Sequence, residues 1–435
     1  MKAIRKLLTL FIFIAIAGTL YLYFRDTSGP DIQLTPQAGF LRHDSPLQLQ
    51  LQDQSSQLKS VQVVLHQGEQ QISLLKKDYP EGTTVALEDI ILDPLLQDGP
   101  LTIEILARDR AYYHFGEGNQ SSALFTFTRD CRPPMISVLS TAHNLNQGGA
   151  GLITYRLSEP VTRSGIEIGN HFFPGFQQSS GDYVCLFAFP YDVPADSVPR
   201  LVATDEAGNR GLGGFYYHLN RRAFRRDRIG ISDGFLNTKM PQFQHLYPQA
   251  TTPLEIFLKV NRELRPQNRA RLQEIGLQTA PSIRWDSSFL RQPNAANRAQ
   301  FGDVRSYEYQ GKKIDEQTHL GIDLASTAQA PVPASNEGAV VFAGFMGIYG
   351  NCVMLDHGLG LQTLYAHLSR IDVAMDDLVQ RGQIIGTTGA TGMAGGDHLH
   401  FGVIISGVPV NPVEWWDRNW LQNNILSKLD ELNQR

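Results

Sequence analysis

Over residues 30 to about 220, apolar and polar side chains repeatedly alternate with a period of two, and this pattern restricts the fold more than any other feature of the chain. Leu47-Gln48-Leu49-Gln50-Leu51 and Val61-Gln62-Val63-Val64-Leu65 are representative runs. On a strand, successive side chains point to opposite faces, so each run has one face for a core and one for water. A helix would scatter the same residues around its circumference. The expected elements are half-buried antiparallel strands.

A weak internal repeat accompanies the alternation. Ile103-Glu104-Ile105-Leu106-Ala107-Arg108-Asp109 returns in pattern as Leu201-Val202-Ala203-Thr204-Asp205. Each copy is followed by a Gly-Asn pair, Gly118-Asn119 and Gly208-Asn209, and then by another strand-like run. The second copy, Asp205-Glu206-Ala207-Gly208-Asn209, resembles the penultimate-strand turn of bacterial immunoglobulin-like domains. A unit of about 100 residues is the usual size of such a sandwich. Two tandem immunoglobulin-like β-sandwiches are therefore expected, over 30–132 and 133–220. Arg132-Pro133-Pro134 breaks the structure between them.

The N-terminus has a different character. Lys2, Arg5 and Lys6 precede an uncharged, mostly apolar stretch from Leu7 to Phe24, about 18 residues and near the minimum for crossing a bilayer. The flanking charges favour a cytoplasmic N-terminus. Residues 1–29 are thus expected to form a transmembrane helix, with everything after Arg25 outside. The expected location is the inner membrane of a bacterium, single-pass, with the C-terminal part periplasmic. Ala15-Ile16-Ala17 offers a competing signal-cleavage site, but the apolar run continues past it to Phe24, which favours an uncut anchor.

Of the 435 residues, 42% are hydrophobic and 19% charged, as in ordinary folded proteins, so wholesale disorder is excluded. The net charge of −5 gives no support to nucleic-acid binding, which needs a basic stripe. The one basic cluster, Arg221, Arg222, Arg225, Arg226 and Arg228, reads as a solvated interdomain segment. The three cysteines, Cys131, Cys185 and Cys352, form no C-x-x-C pair, which removes zinc ribbons and dithiol redox motifs. A Cys131–Cys185 disulfide and buried free thiols both remain open.

From 221 to 310 a helical and irregular linker region is expected. Thr252-Pro253-Leu254-Glu255 combines a capping hydroxyl, proline at the first helical position and an early acid. Ile256, Phe257, Val260 and Leu264 mark its apolar face, and Pro266 is expected to end or kink the helix. Arg269 to Leu277 reads as a second helix stopping at Gly276. Trp285 to Gln310 reads as polar and turn-rich. Residues 311–413 are again β-rich, with tight glycine turns, and 414–435 hold a terminal helix over about Trp415 to Leu432.

The chemistry is concentrated in this last β-rich segment, which carries five of the 12 histidines. His398-Leu399-His400 lies on a strand-like run, so both imidazoles face one cavity while Leu399 and Phe401 face the core. In His319-Leu320-Gly321-Ile322-Asp323 the glycine and the β-branched isoleucine argue for a loop entering a strand. Tyr365-Ala366-His367 sits on a third run, with Tyr365 and His367 expected on one face. Two nitrogens, one carboxylate and an open position describe a catalytic zinc site. Gly386 to Gly392 lacks the Lys-Ser/Thr of a phosphate loop, and H-E-x-x-H does not occur.

Taken in order, these motifs resemble the lysostaphin/LytM-type zinc metallopeptidases, which cut peptides of bacterial cell walls. The resemblance covers about 311–413. It rests on His319-x-Gly321-x-Asp323, Gly350-Asn351, Asp356-His357-Gly358, Tyr365-Ala366-His367-Leu368, Arg381-Gly382-Gln383, Gly386 to Gly392, and His398-Leu399-His400-Phe401. It implies His319, Asp323 and His400 as ligands of one Zn2+, and His367 and His398 as the catalytic pair. His357 has no ligand role in that pattern and is expected to be structural, while Tyr307 and Tyr309 are candidate oxyanion donors. The expected protein is a mainly β, membrane-anchored zinc endopeptidase acting on peptidoglycan stems or cross-links, D-Ala to meso-diaminopimelate bonds among them. The alternative is a non-catalytic or latent activator of other peptidoglycan hydrolases, in the latent case shut by residues 280–318 and released by a regulatory protein partner or by processing.

Overall fold

In the computed structural model, which describes residues 2–434, the alternating runs form antiparallel strands and the protein is mainly β. Leu47–Gln52 buries every second residue, and Leu49, Leu51, Val61, Val63 and Leu65 are sealed in one core. The chain divides into two compact units, Met1–Pro133 with Thr204–Arg210, and Pro134–Ala203 with Gly211–Arg435.

The first unit contains a five-stranded sheet built around Gly99–Asp109 and a three-stranded sheet built around Leu47–Gln52. The sequence repeat has a local structural counterpart. Asn119 Nδ2 donates to Asp109 Oδ2 at 2.7 Å and Asn209 Nδ2 donates to Asp205 Oδ2 at 3.0 Å. In both copies the aspartate N–H also donates to the asparagine carbonyl, at 3.1 and 3.2 Å. Helix Lys2–Phe24 includes Ile4–Phe24, a 21-residue span apolar and long enough to cross a membrane, with none of it buried.

The second unit holds an eight-stranded antiparallel sheet. Its order runs Ala296–Ala299, Ile322–Ala325, Leu399–Ile405, Leu361–Leu368, Asn351–Asp356, Gly338–Phe345 and Leu378–Val379, with Val408–Val410 also paired to Leu399–Ile405. Each face has its own core. Leu399, Phe401, Val403 and Tyr365 pack with Leu324, Val353 and Trp415. Leu364, Ala366 and Ile404 pack on the other side beneath Phe243, Phe257 and Leu272. The helical region therefore lies against one face of the sheet that carries the histidines.

Of the two outcomes expected at Pro266, the helix does not end there. Thr252 caps the helix as predicted, its Oγ1 accepting from Glu255 N at 3.2 Å. The chain then stays helical through Pro266: Pro253–Lys259 passes through a π turn at Val260–Leu264 into Arg265–Gly276. Proline has no N–H to donate, and a widened turn before it accommodates both the missing bond and the ring. The segment Trp285 to Gln310 is also more ordered than its polarity suggested. It supplies Ala296–Ala299 and Val304–Tyr309, the latter paired with both Lys312–Thr318 and Arg226–Gly230.

Candidate metal centre

Strand register assembles the centre. Asp323 stands directly opposite His400 on the neighbouring strand, and Ala366 flanks His400 on the other side. His319 lies in the loop just before Ile322–Ala325, held by its N–H donating to Asp303 O at 2.9 Å. The result is a tight triangle. His319 Nε2 is 2.9 Å from Asp323 Oδ1 and 3.0 Å from His400 Nδ1, and His400 Nδ1 is 2.9 Å from Asp323 Oδ1. All three residues are buried and together could hold a metal ion.

The donor chemistry fits a cation. Nδ1 of His319 sits 3.0 Å from the carbonyl of Gln300, which can only accept, so Nδ1 carries the hydrogen and Nε2 turns a lone pair inward. Among the described residues, His400 Nε2 is buried without a hydrogen-bond partner. The imidazole thus uses only Nδ1 in the triangle. Asp323 adds a carboxylate oxygen. The three atoms converge on one point, and a zinc ion with N and O ligands can take all three at once. Burial pushes the Asp323 carboxyl up, but His319, His398 and His400 outweigh it and hold the group well below the usual range. Burial, with repulsion from His319 and His398, holds His400 at about 4 despite the opposing pull of Asp323.

His367 and His398 complete the set. His398 lies 3.6 Å from Asp323 Oδ1 through Nε2, and its Nδ1 donates to Gly396 O at 2.8 Å. His367 Nδ1 donates to Thr391 O at 2.9 Å, and its ring centre is 5.0 Å from that of His398 and 5.7 Å from that of His400. Burial lowers the pKa of both. At His367 the neighbouring imidazoles add to that effect, whereas at His398 the hydrogen bond and charge of Asp323 reverse it to a net rise.

The expectation that Tyr365 and His367 share a face is corrected. Tyr365 stacks edge-on with Phe401 and bonds Ser335 and Thr363 in the core. His367 has φ +64°, the left-handed region that L-residues rarely adopt. That rotation breaks the strand alternation and turns the imidazole to the His400 side. The acceptor for His367 is fixed by interlocked loops. Gly350 has φ +64°, and a Cβ there would meet Thr391 Oγ1 at 2.3 Å, so only glycine lets the loops approach.

Two contributors escaped the sequence reading. Arg305 Nη2 donates to Asp323 Oδ2 at 2.9 Å, so only Oδ1 faces the triangle. Tyr349, its ring 5.9 Å from that of His400, lines the same cavity. The alternation Arg305-Ser306-Tyr307-Glu308-Tyr309 could have revealed a strand, but not which acid the arginine meets. Of the candidate oxyanion donors, Tyr307 lines the cavity. Tyr309 Oη instead donates to Asp233 at 2.8 Å. His357 is fully buried between Glu337 O and Thr363 Oγ1, a structural position. All three cysteines are free thiols.

The cavity above the centre has a volume of about 370 Å³. Its walls come from the sheet and from the preceding region, including Ile229–Ile231, Phe235, Phe257 and Arg265. Residues within 280–318 contribute as well, through Arg298, Ala299, Arg305 and Tyr307.

Residues 317–412 match the family described as Peptidase family M23. The DD-carboxypeptidase/endopeptidase Mpg of Neisseria meningitidis serogroup B is 48% identical over 95 residues, 22% of each chain. The peptidoglycan DD-endopeptidase ShyA of Vibrio cholerae is 42% identical over 96 residues, again 22% of each. The chain thus matches about a fifth of the length of these curated relatives. The catalytic domain of lysostaphin from Staphylococcus simulans is similar at 30% identity, covering 28% of this chain and 92% of that one with a TM-score of 0.25. Residues 317–412 of this chain are a peptidase family M23 domain.

Proposed function

We propose that the protein is a membrane-anchored zinc metalloendopeptidase that hydrolyses peptide bonds of bacterial peptidoglycan. The observation that carries this reading is the triangle of converging lone pairs on His319, Asp323 and His400, with two further imidazoles beside it. The similarity to proteins named as peptidoglycan DD-endopeptidases supports the substrate class. His319 Nε2, Asp323 Oδ1 and His400 Nδ1 hold one zinc ion. A zinc ion so bound supplies Lewis-acid polarisation of a carbonyl and a water of lowered pKa. Arg305 keeps the Asp323 carboxylate in one orientation. His367 and His398 are each anchored at Nδ1 by a backbone carbonyl, which leaves Nε2, at His398 the atom 3.6 Å from Asp323 Oδ1, to take a proton and return it to the leaving amine. Helix Lys2–Phe24 anchors the chain in the inner membrane with the M23 domain periplasmic, and residues 30–132 and 133–220 form immunoglobulin-like modules.

Detergent-solubilised full-length protein and its His400→Ala variant, incubated with purified peptidoglycan alongside zinc analysis, test this. The expected result is one zinc and soluble muropeptide release for the native chain, and neither for the variant. Equal release by both would sink the assignment. A latent form is the second reading, favoured by Lys239 Nζ and Gln242 Nε2, which donate to Ala390 O and Gly392 O at 2.6 and 3.0 Å and hold the helical layer over a wall of the site. Activity that appears only in a Lys239→Ala/Gln242→Ala variant would identify it.

A further inference from the structure

The cavity above the metal centre is unbalanced in charge. Three arginines line it, Arg265, Arg298 and Arg305, against one acid, Asp323. Arg305 is already paired with that acid. Arg298 is exposed at the cavity wall. Arg265 is the unusual one. It is partly buried and opens the helix Arg265–Gly276. Its Nε and Nη2 both donate to Asn261 Oδ1, at 3.2 and 2.8 Å.

Asn261 is buried and neutral. It orients the guanidinium without compensating its charge, and among the described residues no carboxylate pairs with Arg265. Burial and the nearby Arg269 and Arg305 push its pKa down, yet a guanidinium stays protonated in proteins. A cation left without a counter-charge in a partly desolvated cavity is unfavourable for the fold. Phe257 and Ile231 line the same cavity, so its wall accepts apolar side chains as well. The guanidinium fork also matches the geometry of a carboxylate.

We propose that Arg265, with Arg298 lining the same cavity, is a carboxylate-recognising position, so that the peptide entering this cavity carries a free carboxylate close to the bond presented to His367 and His398. This rests on the peptidase reading for the identity of the bond and adds the charge class of its neighbour. The carboxylate belongs either to a side chain or to a chain terminus, two sources with the same chemistry.

The test uses the detergent-solubilised full chain and cross-linked peptides that differ only in one group, carboxylate or carboxamide, at the side chain in one pair and at the terminus in the other. A charged hydrogen bond of the usual strength gives roughly a 10- to 100-fold preference in kcat/KM for the carboxylate form of one pair. In Arg265→Gln that preference disappears because the carboxylate form slows while the carboxamide form does not. Arg265→Lys, which keeps charge and loses the fork, retains part of it. Binding of a non-cleavable carboxylate peptide by calorimetry provides the readout independent of turnover, and native and variant proteins are compared by melting. Cleavage without carboxylate preference, or equal slowing of both forms in Arg265→Gln, overturns the inference and leaves the peptidase reading intact. Arg265-dependent carboxylate binding without cleavage of any substrate does the reverse. Neither binding nor cleavage overturns both.

Discussion

Replacing Gly321 by alanine tests the geometry of the centre more directly than removing a ligand. Gly321 lies between His319 and Asp323, and its φ lies outside the left-handed region, so alanine costs nothing in the backbone. The side chain is the problem. A Cβ at 321 would meet Cε1 and Nε2 of His400 at 2.5 Å and the Phe401 carbonyl at 2.8 Å. Ordinary contact begins at 3.4 Å, so the His400 ring has to retreat by 3.4 − 2.5 = 0.9 Å. Metal–ligand distances tolerate only about 0.2 Å. The displacement is several times that, and it acts on the imidazole whose Nδ1 closes the triangle. Zinc affinity is expected to fall by about 100-fold or more, at the upper end of what disturbed ligand support causes. Overpacking should lower stability by about 1–3 kcal/mol as well. Gly344→Ala is the control, because its nearest neighbour would be an ordinary 3.7 Å away. Chelator competition with zinc and thermal melts of the metal-free proteins separate the two effects. Zinc affinity of Gly321→Ala within about threefold of native would refute the reasoning.

Three other substitutions address different links. His367→Ala and His398→Ala should each reduce turnover by about 10²- to 10⁴-fold while zinc content stays at one per chain by elemental analysis, since neither belongs to the triangle. Arg305→Met should weaken zinc binding by about 10- to 100-fold in chelator competition, because Asp323 Oδ2 loses its partner and the carboxylate can rotate. Glu414 predicts a pH effect. Burial raises its carboxyl from 4.5 to about 7, although Asn146 Nδ2 and Ala150 N donate to it at 2.6 and 2.8 Å. Below pH 4.5 the group is protonated in both the folded and unfolded chains and has no effect. Between 4.5 and 7 only the unfolded chain ionises, so stability falls as pH rises, by about 3 kcal/mol once above 7. His143 and His357, each held at about 4 chiefly by burial, tilt part of that window the opposite way. The readout is therefore the difference in melting between native and Glu414→Gln, which should grow in favour of the variant from pH 4.5 to 7. A difference independent of pH would contradict the assignment.

The elements of the M23 domain were legible because their signals are local. Asn351–Asp356 and Leu361–Leu368 occur where β-branched and apolar runs meet turn residues. The i, i+2 spacing of His398 and His400 is enough to put both imidazoles on one side. Val304–Tyr309 was missed although it alternates, because its polar residues resemble a loop until Lys312–Thr318 and Arg226–Gly230 pair with it. At Pro266 the helix does not end, and the π turn that accommodates the proline leaves no mark in composition.

The sequence by itself determined which side chains are available for metal chemistry and that strands would present them. Donor type and strand period are properties of neighbouring residues. Tertiary structure alone decided that His319 and His400, 81 residues apart, close a triangle on Asp323. It also turned His367 out of its strand face through a positive φ, gave Asp323 its Arg305 partner, and left Arg265 without an acid among the described residues. Those outcomes depend on register between distant strands and on which helix covers the sheet, and no short-range pattern encodes either.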